Sequence, residues 1–107
     1  MAFQVEALSI ELIEALRAIV PRIKRHDRSL ADQLTRAASS ITLNIAESNY
    51  SDAGNKKARL FTAAGSANET RAALKIAVAW GYVVPKESES AQALVERVVA
   101  ILWKLTR

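Results

Sequence analysis

Between Ala37 and Ala46 the chain carries no charged residue, although residues 29–50 (SLADQLTRAASSITLNIAESNY) keep a helical period throughout. A helix open to water on one side normally places charge on that side. Nearly three turns without charge therefore point to a helix covered on more than one face. Leu30, Leu34, Ala37, Ile41 and Ile45 form an apolar row along it, and Gln33, Arg36, Ser40, Asn44 and Glu47 form a polar row beside that one. The constraint is one of assembly: such a helix has to be packed among others.

The rest of the chain supplies them. With three glycines and two prolines in 107 residues, and no stretch of alternating polarity, nearly everything reads as helix. A first helix over about 4–25 places Val5, Leu8, Leu12, Leu16, Ile19 and Ile23 on one stripe. The stripe keeps its phase past Pro21, which favours a kinked helix over one that stops at Val20. A second helix over about 29–49 starts at Ser29 as N-cap, with Asp32 three residues on. Ser51, Asp52, Gly54 and Asn55 are turn formers. A third helix spans about 55–80. Gly65 in its middle, among Ala63, Ala64, Ser66 and Ala67, predicts close approach of another helix. Gly81 suits the C′ position. Pro85 suits the first turn of a fourth helix over about 85–106, whose core stripe is Ala91, Leu94, Val98, Ile101 and Leu105. The fold class expected is all-α, a single domain over residues 1–107 built as an antiparallel up-down-up-down four-helix bundle.

Val95, Val99, Leu102 and Trp103 widen the apolar arc of the fourth helix to about half its circumference, more than a monomeric bundle requires. That surplus, with Trp80, Tyr82, Val83 and Val84, predicts self-association; scattered apolar exposure on a monomer is the plainer alternative. Val95, Val99, Leu102 and Trp103 are the expected oligomer interface. Cysteine is absent, so disulfides and thiolate metal sites are excluded. No apolar run approaches the ~20 residues of a membrane span, and there is no secretory h-region. A soluble cytoplasmic protein with no membrane partner is expected.

The polar row invites a chemical reading. Its steps of three, four, four and three residues keep Gln33, Arg36, Ser40, Asn44 and Glu47 on one face. In a helical hairpin the third helix brings Ser66 and Glu69 alongside, opposite Gln33 and Arg36. A ligand or catalytic site is one outcome. A polar network that fixes helix register is the favoured one, with Arg36, Asn44, Glu47 and Glu69 as interior links between helices. No nucleophile and base stand together, and glycine-rich phosphate loops are missing, so no catalytic residue is assigned and no enzyme activity expected. The chain has one histidine, His26, and no Glu-x-x-His pair, which removes the di-metal chemistry of helical bundles. Neither a metal nor a cofactor is expected.

Fifteen Lys and Arg against eleven Asp and Glu leave a formal charge of +4, which permits an acidic partner without requiring one. The cations cluster. Arg22, Lys24, Arg25 and Arg28 surround the first turn, and Lys56, Lys57 and Arg59 open the third helix. A helix of twenty residues sets these groups ~30 Å apart, at opposite ends of a bundle. They are the candidate phosphate contacts of a nucleic-acid partner.

SLADQLTRAASSITLNIAES, followed by AAGSANETRAAL and then WGYV, resembles the bacterial four-helix-bundle family encoded by intervening sequences in large-subunit ribosomal RNA genes. Gln33, Leu34, Arg36, Ala37, Ser40, Ile41, Asn44, Ile45, Ala46, Glu47, Gly65, Ser66 and Glu69 match the pattern of that family. Ser48 stands where the family usually has glycine, and Thr42 where proline is frequent. The resemblance implies a left-handed four-helix bundle assembled as a ring, pentamers among the possibilities. A more distant similarity, to the accessory protein of diversity-generating retroelements, implies a nucleic-acid partner. Two functions follow as expectations: a non-enzymatic, oligomeric accessory factor on RNA or DNA, or a protein-interaction scaffold without nucleic acid.

Overall fold

The computed structural model of the chain describes residues 2–107, which form five helices: α1 (Ala2–Arg17), α2 (Val20–His26), α3 (Arg28–Ser48), α4 (Ala53–Ala79) and α5 (Pro85–Leu105). They make an all-helical bundle of 42 × 22 × 20 Å. Packing runs in a closed circuit: α1 and α2 lie on α3, α3 on α4, α4 on α5, and α5 on α1. Among the described residues no helix is long and apolar enough to cross a membrane.

The first stripe is buried along its whole length, from Val5 to Ile23, but the helix carrying it is broken. The expectation of one kinked helix is corrected here. Pro21 has no N–H to offer the Arg17 carbonyl, and its ring crowds that turn. The chain therefore ends α1 at Arg17 and reopens as α2 with Pro21 in its first turn, where the missing donor costs nothing. Ile19 spans the gap, its N–H donating to the Leu16 carbonyl at 3.0 Å.

The ends of the other helices follow from local chemistry. Asp27, rather than Ser29, caps α3: its carboxylate accepts from the Leu30 N–H at 3.0 Å. Asp52 caps α4 in the same way through the Asn55 N–H at 2.9 Å. At the far end of α4 the Gly81 N–H donates to the Val78 carbonyl and the Tyr82 N–H to the Ala77 carbonyl, a Schellman closure. That closure needs a left-handed residue at C′, and Gly81 provides it at φ +80°. Pro85 opens α5 as expected.

Leu12, Ile23, Leu34, Ile41, Ile45, Leu74 and Leu102 are fully enclosed. Each such side chain stabilises the fold by about 1.5–3 kcal/mol relative to exposure. Five hydroxyls share that interior: Ser9, Ser48, Thr70, Ser88 and Thr106. Each donates to a carbonyl three or four residues back in its own helix, at 2.6–2.8 Å. A buried hydroxyl left unpaired costs roughly 1–3 kcal/mol, and these local bonds remove that cost. Ser48, standing where a glycine was expected from the resemblance, is one of them. Thr42, standing where proline was frequent, reaches the Ser9 Oγ at 2.7 Å and ties α3 to α1. With the Ser9 hydrogen committed to the Glu6 carbonyl, the Thr42 hydroxyl is the donor in that bond.

Two expectations about α4 and α5 are corrected. Gly65 does not mark a close approach between helices: it is exposed, and a Cβ there would meet nothing within 4 Å. Val95 (1% exposed) and Leu102 (fully buried) face the core of this chain, not a partner. Their positions on α5 lie toward α4 and α1, which pack on it from two sides and enclose a wider arc than the core stripe assigned from periodicity.

Candidate functional site

The polar row of α3 lies on the shoulder of that helix, above the α3–α4 seam. Only its middle is an interhelical network. The Ser66 hydroxyl of α4 donates to the Ser40 Oγ at 2.9 Å, and the Asn44 amide donates to the same oxygen at 3.0 Å and to the Ser40 carbonyl at 2.9 Å. The Ser40 Oγ thus receives two bonds, one across the seam from Ser66 and one within α3 from Asn44. Farther along, Glu47 pairs with Arg59 of α4 at 3.1 Å, with both side chains about half in water.

The outer members do not join. Gln33, Arg36 and Glu69 are exposed, and among the described residues Arg36 and Glu69 form no ion pair. The expected interior linkage of Arg36, Asn44, Glu47 and Glu69 is corrected to a local Ser40–Asn44–Ser66 cluster with one surface salt bridge. The register was off by one turn, since Ser66 meets Ser40 instead of Arg36 or Gln33. Thr70, not Glu69, turns inward at the next step. Guanidinium and carboxylate groups reach water at small cost here, whereas enclosing them would cost several kcal/mol per ion.

An open groove of about 420 Å³ follows the row, lined by Thr35, Arg36, Ser39, Leu43, Glu47 and Arg59 among others. Leu43 stands 63% exposed within it. The uncharged strip of α3 is therefore covered by α1 and α4 on two sides and left bare on the third. A second groove, about 340 Å³, lies between α4 and α5 and includes Phe61, Gly65, Val99 and Trp103. Phe61 and Trp103 (56% exposed) form its apolar wall, and the Arg107 guanidinium sits 4.3 Å over the Trp103 ring. Of the four expected interface residues, Trp103 and the half-buried Val99 line this outer groove.

The basic residues separate into paired and unpaired. Arg22 forms a salt bridge with Glu87, tying α2 to the start of α5, and Arg59 is held by Glu47. Lys24, Arg25 and Arg28 at one end of α3, and Lys56 and Lys57 beyond its other end, are exposed and form no salt bridge among the described residues. The 21 residues of α3 set the two groups ~30 Å apart. Lys56 and Lys57 occupy the first turn of α4, where the helix dipole adds to their positive potential.

The family model for the 23S rRNA-intervening sequence protein matches residues 2–104. The chain belongs to that family. The match takes in α1 to α5 almost entirely, so the polar row, both basic groups and both grooves are carried on the family's own framework. The crystal structure of a protein of unknown function from the S23 ribosomal protein family of Bacteroides thetaiotaomicron superposes with a TM-score of 0.85. It shares 20% identity with this chain, over 96% of this chain and 98% of that one, and so bears on the fold. No curated protein matched. Among the described residues no three metal-ligating side chains converge.

Proposed function

We propose that this family member acts without catalysis, as a cytoplasmic homo-oligomeric bundle whose ends hold the phosphate backbone of RNA or DNA. One observation carries the reading: Lys24, Arg25, Arg28, Lys56 and Lys57 are all exposed and, among the described residues, form no salt bridge, in two groups at the two ends of α3. Unpaired surface cations in groups are what releases counterions from a polyphosphate chain. Arg22 and Arg59 serve the fold first and the partner second. The groove along the polar row supports the non-catalytic reading, because the Ser40 hydroxyl in it is bonded to an amide and another hydroxyl, and Glu47, the carboxylate lining the same groove, pairs with Arg59.

In this reading α1 and α2 count as one rod, and the circuit of contacts is an antiparallel up-down-up-down bundle with the left-handed twist of 3-4 packing. Supporting the alternation, residues 6 and 9 meet 49 and 42, 40 and 47 meet 66 and 59, and 71 meets 96. Arg59 and Phe61 point to opposite flanks of α4, so the Leu43 groove and the Phe61–Trp103 groove are two different surfaces of one subunit. Two unlike surfaces joined head to tail close into a ring, the pentamer that the resemblance implies. A ring multiplies each basic end around a rim.

Filter binding of a short RNA and a short DNA at rising salt tests the partner, and sedimentation velocity tests the assembly. Binding at low ionic strength that weakens steeply with salt, by a protein heavier than one chain, supports the proposal. Absence of binding even at low salt rejects it. The exposed Phe61–Trp103 wall favours a second reading, a scaffold that docks other proteins; it predicts an oligomer, or a captured protein partner, with no affinity for nucleic acid.

A further inference from the structure

The end of the bundle that carries Lys24, Arg25 and Arg28 also carries a stack of aromatic rings. His26, the last residue of α2, lies parallel to Tyr82, with ring centroids 5.0 Å apart and 3° between planes. Trp80, at the end of α4, lies 6.4 Å from Tyr82 and within 15° of its plane. The rings come from two segments, the end of α2 and the turn after α4, and share one orientation. Their support is built into the backbone: the Gly81 turn at φ +80° folds the chain back, and the Tyr82 N–H bonds the Ala77 carbonyl at 2.9 Å. The salt bridge from Arg22 to Glu87 fixes α2, and with it His26, against the start of α5.

The core uses only one ring of this arrangement, the half-buried Tyr82 that packs against it. Val83 fills the interior at this end, whereas Trp80 is 70% exposed and His26 is exposed. An indole so placed keeps its apolar surface in unfavourable contact with water until something covers it. The flanking charge indicates what. Lys24 and Arg25 directly precede His26, and Arg28 lies two residues beyond it. Of the nearby carboxylates, Asp27 is engaged in capping α3 and Glu87 in the Arg22 pair and the Val84 N–H, whereas the exposed Asp32 and Glu89 dilute the positive charge without pairing to Lys24, Arg25 or Arg28 among the described residues. A flat π-face beside unpaired cations is complementary to a base with its own phosphates, and stacking on such a face is open to any base.

We infer that the His26–Tyr82–Trp80 stack is a platform for an unpaired nucleobase of single-stranded nucleic acid, with Lys24, Arg25 and Arg28 holding the flanking phosphates. The inference deepens the proposed function and rests on it. It adds a substrate class: this end prefers single strands or loops, because a base inside a duplex has no free face to offer. Among the described residues the Lys56–Lys57 end has no such stack of parallel rings.

Tryptophan fluorescence reads the contact directly, since a base stacked on indole quenches it. The intact protein is titrated at low salt with a 12-nucleotide oligouridine, a 12-nucleotide oligothymidine and a 12-base-pair duplex, with filter binding in parallel. The single strands quench the fluorescence on binding, and the duplex binds with little quenching. Trp80→Phe keeps single-strand binding and removes the quench, which assigns the signal. Trp80→Ala weakens single-strand binding roughly tenfold and leaves duplex binding unchanged, with helicity checked by circular dichroism. Single strands that bind without quenching, with Trp80→Ala binding strand and duplex as before, overturn the platform and leave the proposed function standing. Loss of assembly on Trp80→Ala, seen in sedimentation, overturns it too, by placing the rings between copies of the chain. Failure of every nucleic acid to bind removes the platform and the proposed function together.

Discussion

Replacing Leu102 by alanine and, separately, Leu43 by alanine makes the same chemical change at two sites that differ in burial. Leu102 is fully buried between α5 and its neighbours, while Leu43 is 63% exposed on α3. Removing an enclosed leucine loses its transfer energy and leaves a cavity, together about 2–5 kcal/mol. A chain of this length is stable by roughly 5–15 kcal/mol, so Leu102→Ala removes a large share. With a urea slope of about 1.5 kcal/mol/M, a loss of about 3 kcal/mol lowers the midpoint by about 2 M. Leu43 has only about a third of its surface to lose, worth under about 1 kcal/mol, and alanine returns part of that as helix propensity. Urea unfolding followed by circular dichroism, at a protein concentration where sedimentation shows single chains, measures both. The reasoning is refuted if Leu102→Ala moves the midpoint no more than Leu43→Ala does, since Leu102 would then belong to a contact between chains.

Three further outcomes follow from the geometry. Gly65→Ala raises stability by up to about 1 kcal/mol, measured by thermal or urea unfolding, because the new methyl group meets no neighbour and the helix loses a flexible residue. Asp27→Ala lowers it by about 1 kcal/mol through loss of the α3 cap, and Asp27→Asn recovers most of that, whereas Ser29→Ala stays within about 0.5 kcal/mol. A double-mutant cycle of Ser9→Ala with Thr42→Val gives a coupling energy of about 1 kcal/mol for the α1–α3 hydroxyl bond; a coupling near zero would mean the pair holds nothing together.

What the sequence disclosed was governed by periodicity, and what it withheld was governed by side-chain reach. The stripe from Val5 to Ile23 is buried at every expected position even though the helix breaks within it, because a proline in the first turn of a new helix preserves the phase. Periodicity sees the phase and is blind to the break. Gly81 and Pro85 were legible because each fills a backbone role few residues can fill. Ser9 was legible and missed: it stands four residues after Val5 and three before Leu12, on the stripe itself. Thr70 stands likewise between Ala67 and Leu74. A serine or threonine on an apolar stripe can satisfy itself on its own helix, so its polarity is no sign of exposure. The polar row failed in the opposite direction. Ser40, Asn44 and Ser66 have short side chains and meet across the seam, but Arg36 and Glu69 extend past it into water. Heptad arithmetic places Cβ atoms and says nothing about where a long side chain ends. The aromatic stack was out of reach, since His26 and Tyr82 are far apart in sequence, one at the end of α2 and the other in the turn after α4.

The account rests on unpaired cations at the bundle ends meeting phosphate, and the salt slope of binding counts those contacts. For single-stranded RNA the slope of log K against log salt is about −0.7 per phosphate neutralised. Replacing Lys24, Arg25 and Arg28 together by glutamine should make the slope shallower by about 2 for each basic end engaged. An unchanged slope in the triple variant would contradict the account, even if the affinity itself fell.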